Sequence, residues 1–300
     1  MKIVMLSVFD ATASGLRLCE AINENTKHKI KLFQWKTGPF NHPHGTLVRE
    51  DNYKRVQREV DRADIVHVKG DRPWSVVFPG MKHHKNIKIN HKPVVQTLSG
   101  TLTRDIRFGG YGQCSRKSYP AKLITAHEPD LKHDWVDILT FYPIRSTAAV
   151  WRQSDPPVLM HIPSNRETKN TEFVLRIVEK MKKGVIFELL ENITYRAVLE
   201  AKKRATLYFD QFVVGWYGNA AVEAMNYGVP VVSWISEFSQ RLIEPPVITS
   251  GGAKEYAELI DWILDKDMAW LSQSVKEYCD TYHSYQSVAK QWDEIYESLR

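Results

Sequence analysis

Residues 215–234 read GWYGNAAVEAMNYGVPVVSW, and this stretch sets the architecture. Two glycines, Gly215 and Gly218, precede a run of small residues, Ala220, Ala221 and Ala224, that keeps a helix slim enough to lie close against a sheet. Gly228 stands where a helix stop is expected, and VPVVSW then reads as a short buried strand. A helix that ends in glycine and feeds an apolar strand is the return half of a β-α-β unit. Inside it sits one carboxylate, Glu223. Interaction with the helix dipole is one reading of that charge; a partner outside the helix is the other.

Working outward, the same alternation fills the chain. In the front half, KIVMLSV, HKIKLFQW, DIVHVKG, KPVVQTL, AKLITA and DILTFY read as strands, interleaved with the helical patterns ATASGLRLCEAIN and DNYKRVQREVDRA. In the rear half VLMHIPSN, GVIFELLEN, TLYFDQFVV and VPVVSWI are the strands, with a helix after Asn170 and Thr171 and another over YRAVLEAKKRA. Between the halves lies PIRSTAAVWRQSDPPV, whose prolines mark a linker. The fold class is therefore α/β, with two doubly wound domains. From Ser284 onward, Tyr285, Val288, Trp292, Ile295 and Leu299 recur at spacings of three and four, a one-sided helix that must dock on a core.

Composition agrees with two ordinary domains: 300 residues, 43% hydrophobic, suffice for two cores and exclude fibrous and disordered classes. Cys19, Cys114 and Cys279 stand far apart with no metal-ligand spacing, which fits a reduced, cytoplasmic compartment. The opening MKIVMLSVFD is too short to span a membrane and reads as a buried first strand. Net charge is +6, unevenly spread: residues 1–150 carry 24 Lys+Arg against 14 Asp+Glu, the remainder 17 against 21. Such asymmetry points to an anionic partner for the front half, and a solvated surface is the competing reading.

In open parallel sheets ligands settle beyond the carboxyl ends of the strands. Two segments there suit an anion. SNRETKN places Ser164, Asn165, Arg166 and Lys169 at a helix start, and GWYGN brings the amides of Gly218, Asn219 and Ala220 to another. Two such starts on one side of one domain describe a diphosphate site, with Glu223 placed to accept hydroxyl hydrogen bonds from the adjoining ribose. In the front domain Asp10, Ser14 and Gly15 follow the first strand, while Ser99, Gly100 and Arg104 follow another, so both loops are expected at the ligand end of that sheet, the side that the family resemblance given below implies for the acceptor. Asp10 reads either as a proton acceptor or as the N-cap of the first helix. No metal site is expected. Asp265-Lys266-Asp267 has a metal-binding form but falls at a helix end, and His42, His44, His83, His84 and His91 lack partners at ligand spacing.

PSNRETKNTEFVLRIVEKMKKG followed by GWYGNAAVEAMNYGVPVVSW resembles the carboxy-terminal domain of family-4 retaining glycosyltransferases of the GT-B fold, most specifically over Val158 to Ile235. The resemblance implies two Rossmann-like domains facing a cleft, an acceptor-side domain over residues 1–147 and a nucleotide-sugar domain over 148–283, with a last helix, 284–300, crossing back to the first. It matches Lys169 to the family's diphosphate lysine, Glu223 to its ribose glutamate, and Gly218, Asn219 and Ala220 to its phosphate or sugar loop. Three positions depart from the pattern: Gly215 replaces a glutamate, Ser164 an arginine for which Arg166 stands in, and Ser99-Gly100 a His-Gly pair.

The implied reaction moves a sugar from a nucleotide-sugar donor, a UDP-sugar or else a GDP- or ADP-sugar, to an acceptor hydroxyl with retention. Lys169, Arg166 and the loop amides would stabilise the departing diphosphate without requiring a metal. Two anionic acceptors fit the basic front half: a glycan or lipid-linked saccharide at a membrane surface, or DNA carrying hydroxymethylated bases. A nucleotide-sugar epimerase of the same fold and a non-catalytic binding relative are the alternatives.

Overall fold

The computed structural model describes residues 1–10, 12–38, 42–70, 87–89, 91–98, 121–127 and 136–300. The chain divides into two compact units, Met1–Pro143 with Tyr285–Arg300, and Ile144–Ser284.

In the first unit the apolar runs form parallel strands β1 (Lys2–Phe9), β2 (Lys29–Lys36), β3 (Thr46–Leu47), β4 (Ile65–Lys69), β5 (Val94–Leu98), β6 (Leu123–Ala126) and β7 (Ile138–Leu139). Their order is β3-β2-β1-β4-β5-β6-β7, so the winding reverses between β1 and β4. The register there pairs Ile3 with Ile65 and Ser7 with Lys69, which brings the carboxyl ends of the two strands together. The two-residue strand β3 escapes a pattern reading because it is too short to show alternation. Helices α1 (Ser14–Asn25) and α2 (Tyr53–Arg62) cover the sheet.

The C-terminal helix, Tyr285–Glu297, belongs to this unit. Val288, Trp292, Ile295, Tyr296 and Leu299 are buried in one cluster with Ile3, Met5, Leu18 and Ile22. A polar tie fixes its register on the sheet. His67 of β4 lies between the Tyr296 hydroxyl, 2.8 Å from Nδ1, and the Thr97 hydroxyl, 2.7 Å from Nε2, while its ring stacks on Trp292 at 4.6 Å. Burial, reinforced by His127 and Lys69, pulls the His67 pKa down to about 3.

The second unit holds a four-stranded parallel sheet of β8 (Val158–His161), β9 (Ile186–Leu189), β10 (Leu207–Phe209) and β11 (Val231–Val232), in the order β11-β10-β8-β9. Here the winding reverses between β8 and β10. Helices follow each strand: α3 (Arg166–Lys169) and α4 (Thr171–Lys180) after β8, α5 (Tyr195–Lys202) after β9, and α6 (Asn219–Asn226) after β10. After β11 come α7 (Glu237–Leu242), α8 (Ala253–Leu264) and α9 (Ala269–His283), so that the C-terminal helix of the first unit is α10. Gly228 closes α6 in a left-handed conformation, φ 77°, with its amide on the Met225 carbonyl. No helix among the described residues is long and apolar enough to cross a membrane.

Candidate active site

β8 and β10 lie side by side at the reversal of the second sheet, and the polar side chains at their carboxyl ends form one buried group. His161 ends β8. Its Nδ1 is 2.9 Å from the Phe209 carbonyl, which can only accept, so Nδ1 carries the proton and Nε2 accepts from the Thr171 hydroxyl at 3.0 Å. The ring is thus held neutral, and burial pulls its pKa down to about 4.

Lys169, the last residue of α3, is 8% exposed and turns its ammonium toward β10. Its Nζ lies 2.5 Å from Asp210 Oδ1 and 3.3 Å from Gln211 Oε1. The second Asp210 oxygen accepts the Gly218 amide at 2.5 Å. Gln211 is fixed in turn, its Nε2 donating to the Trp216 carbonyl at 2.5 Å. The absence of a side chain at Gly218 follows from this crowding. A Cβ there would lie 3.2 Å from Lys169 Nζ and 3.3 Å from Asp210 Oδ2, tighter than ordinary contact.

Glu223 proves to have a cation of its own. It is the fifth residue of α6, in the second turn, where the dipole of the helix start has faded. Its Oε2 accepts from Lys202 Nζ at 2.7 Å and its Oε1 from the Tyr195 hydroxyl at 2.9 Å, both from α5. Lys202 is fully buried, with its ammonium 5.0 Å from the centre of the Tyr208 ring. Burial pulls the Lys202 pKa down, and Glu223 and Asp210 push it back. Lys202 also feels the charge of Lys169, so Lys169, Asp210, Lys202 and Glu223 form a single electrostatic group beside β10.

The remaining expected residues fall in different places. Arg166 is exposed and bound by two carboxylates, with Nε and Nη2 on Glu191 at 2.9 and 2.7 Å and Nη1 on Glu172 at 3.1 Å. Its guanidinium is held by those two partners. Ser164 is exposed, and Asn165 caps α3 by accepting from the Thr168 amide at 2.9 Å. The stretch after β8 is therefore a helix start, as expected, but one that closes after a single turn at Lys169. Of the three loop amides, that of Gly218 is already taken by Asp210, while Asn219 and Ala220 open the first turn of α6.

In the first unit Asp10 follows β1 and is completely buried. Its carboxylate accepts from the Gly15 and Leu16 amides, each at 3.0 Å, from Ser14 Oγ at 3.3 Å and from Lys69 Nζ at 3.1 Å. The carboxylate thus holds the first amides of α1, although Ala13 and not Asp10 occupies the N-cap position. Burial opposes the charge of Asp10, but Lys69 and the two amides outweigh it and hold the pKa below the usual range. Ser14 and Gly15 serve the same cap. Ser99, Gly100 and Arg104 lie outside the described residues.

Both sheets thus carry an Asp-Lys pair at the reversal of winding: Asp10 with Lys69 between β1 and β4, Asp210 with Lys169 between β8 and β10. In each case the aspartate also receives a glycine amide at a helix start. Pattern reading passed over Asp210, Gln211, Lys202, Tyr195 and Lys69. Asp210 did leave a signal, since a carboxylate inside an apolar strand run requires a partner. Among the described residues no cluster of His, Cys, Asp and Glu is arranged to hold a metal ion.

No family model and no curated protein matches the chain. Solved structures do. An α-glucosyltransferase in complex with UDP-glucose and DNA containing an abasic site superposes with a TM-score of 0.70 at 12% identity, covering 98% of this chain and 99% of the other. The Anabaena protein HepE in complex with UDP-glucose gives 0.67 at 11%, covering 99% and 100%. Sucrose-phosphate synthase from Thermosynechococcus elongatus gives 0.63 at 13%, covering 100% and 99%. At these identities the likeness speaks for architecture alone, along nearly the whole chain, and that architecture is the GT-B fold.

Proposed function

We propose that the chain is a glycosyltransferase that moves a hexosyl group from a UDP-sugar to an acceptor hydroxyl, with retention of configuration. The observation that carries this reading is the buried Lys169 ammonium set against the start of α6 at the switch point of the second sheet. A diphosphate leaving group gathers negative charge as the anomeric bond breaks. A preorganised cation and helix-start amides lower that barrier because they need no reorientation. Lys169 and the amides of Asn219 and Ala220 take this part, with Asp210 as the residue that positions Lys169. Glu223, oriented by Lys202 and Tyr195, is the ribose acceptor. In same-face attack the acceptor hydroxyl passes its proton to the departing phosphate, so Asp10 is not needed as a base.

For the acceptor we favour DNA bearing hydroxymethylated bases. The support is the +10 balance of residues 1–150 together with likeness to an α-glucosyltransferase solved with DNA containing an HMU base, at a TM-score of 0.65 and 12% identity. A base within duplex DNA would have to be flipped out to expose its hydroxyl. Incubation with UDP-, GDP- and ADP-sugars, with and without hydroxymethylated DNA, tests the reading. Acceptor-dependent release of UDP is expected. Donor consumption without acceptor marks an epimerase or hydrolase instead, and transfer only to a membrane glycan overturns the DNA assignment.

A further inference from the structure

Helix α2 carries its charge against its own stability. Its valines, Val56 and Val60, are fully buried in the core of the first unit. At about 3.6 residues per turn, Lys54, Arg55, Arg58 and Arg62 fall in one stripe on the opposite face, and all four are exposed. Lys54 and Arg58, and again Arg58 and Arg62, are neighbours at a spacing of four, and Arg55 precedes Arg58 by three, so each pair brings like charges together. The first turn holds two of these cations and no acid, the opposite of what the helix dipole favours there.

The acids that could relieve this repulsion are engaged elsewhere. Glu59 pairs with Lys31 of β2 at 3.0 Å, Asp61 accepts from Gln57 Nε2 at 2.7 Å, and Asp64 accepts from the Lys2 amide at 2.7 Å. Among the described residues no carboxylate forms an ion pair with Lys54, Arg55, Arg58 or Arg62. Lys88, also exposed, adds a cation beside them. Its backbone is tied to α2 through Gln57, whose Oε1 accepts the Lys88 amide at 2.6 Å and whose Nε2 donates to the Lys88 carbonyl at 2.9 Å. A helix that keeps such repulsion on its outer face finds its counter-charge outside the chain.

Position and chemistry narrow what the partner is. Asn52 Nδ2 donates to the Leu47 carbonyl at 2.8 Å and ties the start of α2 to the carboxyl end of β3. In an all-parallel sheet this is the ligand end, where Asp10 follows β1. From Lys54 to Arg62 the stripe runs about 12 Å along the helix axis. One strand of B-DNA presents three or four phosphates over such a length, one per roughly 3.4 Å of axis. Three of the four cations are arginines, whose planar guanidinium matches phosphate oxygens two at a time. A lipid surface fits less well, because a helix lying on a membrane buries an apolar face in it, and both valines of α2 face the core instead. We propose that the Lys54–Arg62 face of α2 is a docking surface for the sugar-phosphate backbone of duplex DNA, holding the duplex whose hydroxymethylated base is the acceptor. This rests on the DNA reading above.

Filter binding to hydroxymethylated duplex DNA across a salt series tests the proposal on three proteins: the wild type, a variant with Arg55→Gln, Arg58→Gln and Arg62→Gln, and a control with Lys180→Gln, Arg241→Gln and Lys254→Gln. The control removes the same charge from exposed positions of the second unit. Between about 50 and 200 mM salt the α2 variant is expected to lose roughly 0.9 of the logarithmic salt slope for each phosphate contact removed, two to three units in all, and to bind at least tenfold more weakly. The control is expected to stay within about twofold of wild type. Urea unfolding of the α2 variant should be no easier than that of wild type, because the substitutions relieve repulsion. A salt slope unchanged in the α2 variant overturns the surface while wild-type DNA binding leaves the DNA reading standing. An equal fall in both variants marks net charge alone and also overturns it. Failure of the wild type to bind DNA removes the surface and the DNA reading together. Binding instead to vesicles of phosphatidylcholine and phosphatidylserine, lost in the α2 variant, gives the stripe to a membrane and overturns the proposal.

Discussion

Lys169 Nζ stands 2.5 Å from Asp210 Oδ1, and both groups are almost wholly buried. The same carboxylate holds the Gly218 amide. One acidic side chain therefore aims a cation and a helix start at the same space, and removing either partner of the pair strands a charge in the interior.

That coupling separates stability from binding. Lys169→Met is expected to lower unfolding free energy by roughly 3 kcal/mol, because Asp210 is left buried and unpaired. The double variant Lys169→Met with Asp210→Asn should recover most of that loss in urea unfolding and still fail to bind UDP in calorimetry. Recovery of UDP affinity along with stability would show that Lys169 acts on the fold alone.

Glu223 and Lys202 form the second buried pair, with oxygen and nitrogen 2.7 Å apart. Glu223→Gln should cost about 3 kcal/mol by leaving Lys202 without its counter-charge, and adding Lys202→Met should restore much of it. Both variants are expected to bind UDP at least tenfold more weakly than wild type. Undiminished UDP affinity would remove Glu223 from the ribose.

Gly218 tests crowding. Its φ of −97° accepts alanine without backbone strain, so Gly218→Ala acts only through the Cβ placed 3.2 Å from Lys169 Nζ and 3.3 Å from Asp210 Oδ2. Thermal unfolding should shift little, whereas turnover should fall about tenfold or more as the ammonium is displaced. A variant with wild-type turnover would mean that the position of Lys169 is not critical.

His161 gives the second unit a pH dependence of definite sign. Its pKa in the folded chain, about 4, lies below the ordinary histidine value of 6.5, so the unfolded chain binds the extra proton first as pH falls. Stability contributed by neutral His161 is complete above about pH 6.5 and is lost progressively toward pH 4, a change of about 3 kcal/mol. The stability gap between wild type and His161→Gln should narrow by that order between pH 7 and pH 4 in urea unfolding. A gap independent of pH would contradict the neutral ring bonded to Phe209 and Thr171.

The fold was legible in the sequence because its signals are local. Apolar runs such as KIVMLSV, the glycine stop at Gly228 and the one-sided pattern of Val288, Trp292 and Ile295 each report on a single element, and each element formed. The site was legible only in part. Lys169 and Glu223 stood out by position, but their partners Asp210 and Lys202 lie 41 and 21 residues away in the chain, and pairing across a sheet leaves no periodic trace. The pairing of Arg166 with Glu191, 25 residues away, was hidden for the same reason. Phe9-Asp10 and Phe209-Asp210 each end a strand beside the reversal of winding, the first strand in one unit and the third in the other, and each aspartate receives a lysine and a glycine amide.

The central claim is that Lys169 and Glu223 bracket one nucleotide diphosphate. A crystal structure with UDP tests it most directly. We predict the β-phosphate within hydrogen-bond reach of Lys169 Nζ and the Asn219 and Ala220 amides, with ribose hydroxyls on Glu223. UDP bound elsewhere, or bound with Lys169 still closed on Asp210 and no phosphate oxygen near it, would contradict the account.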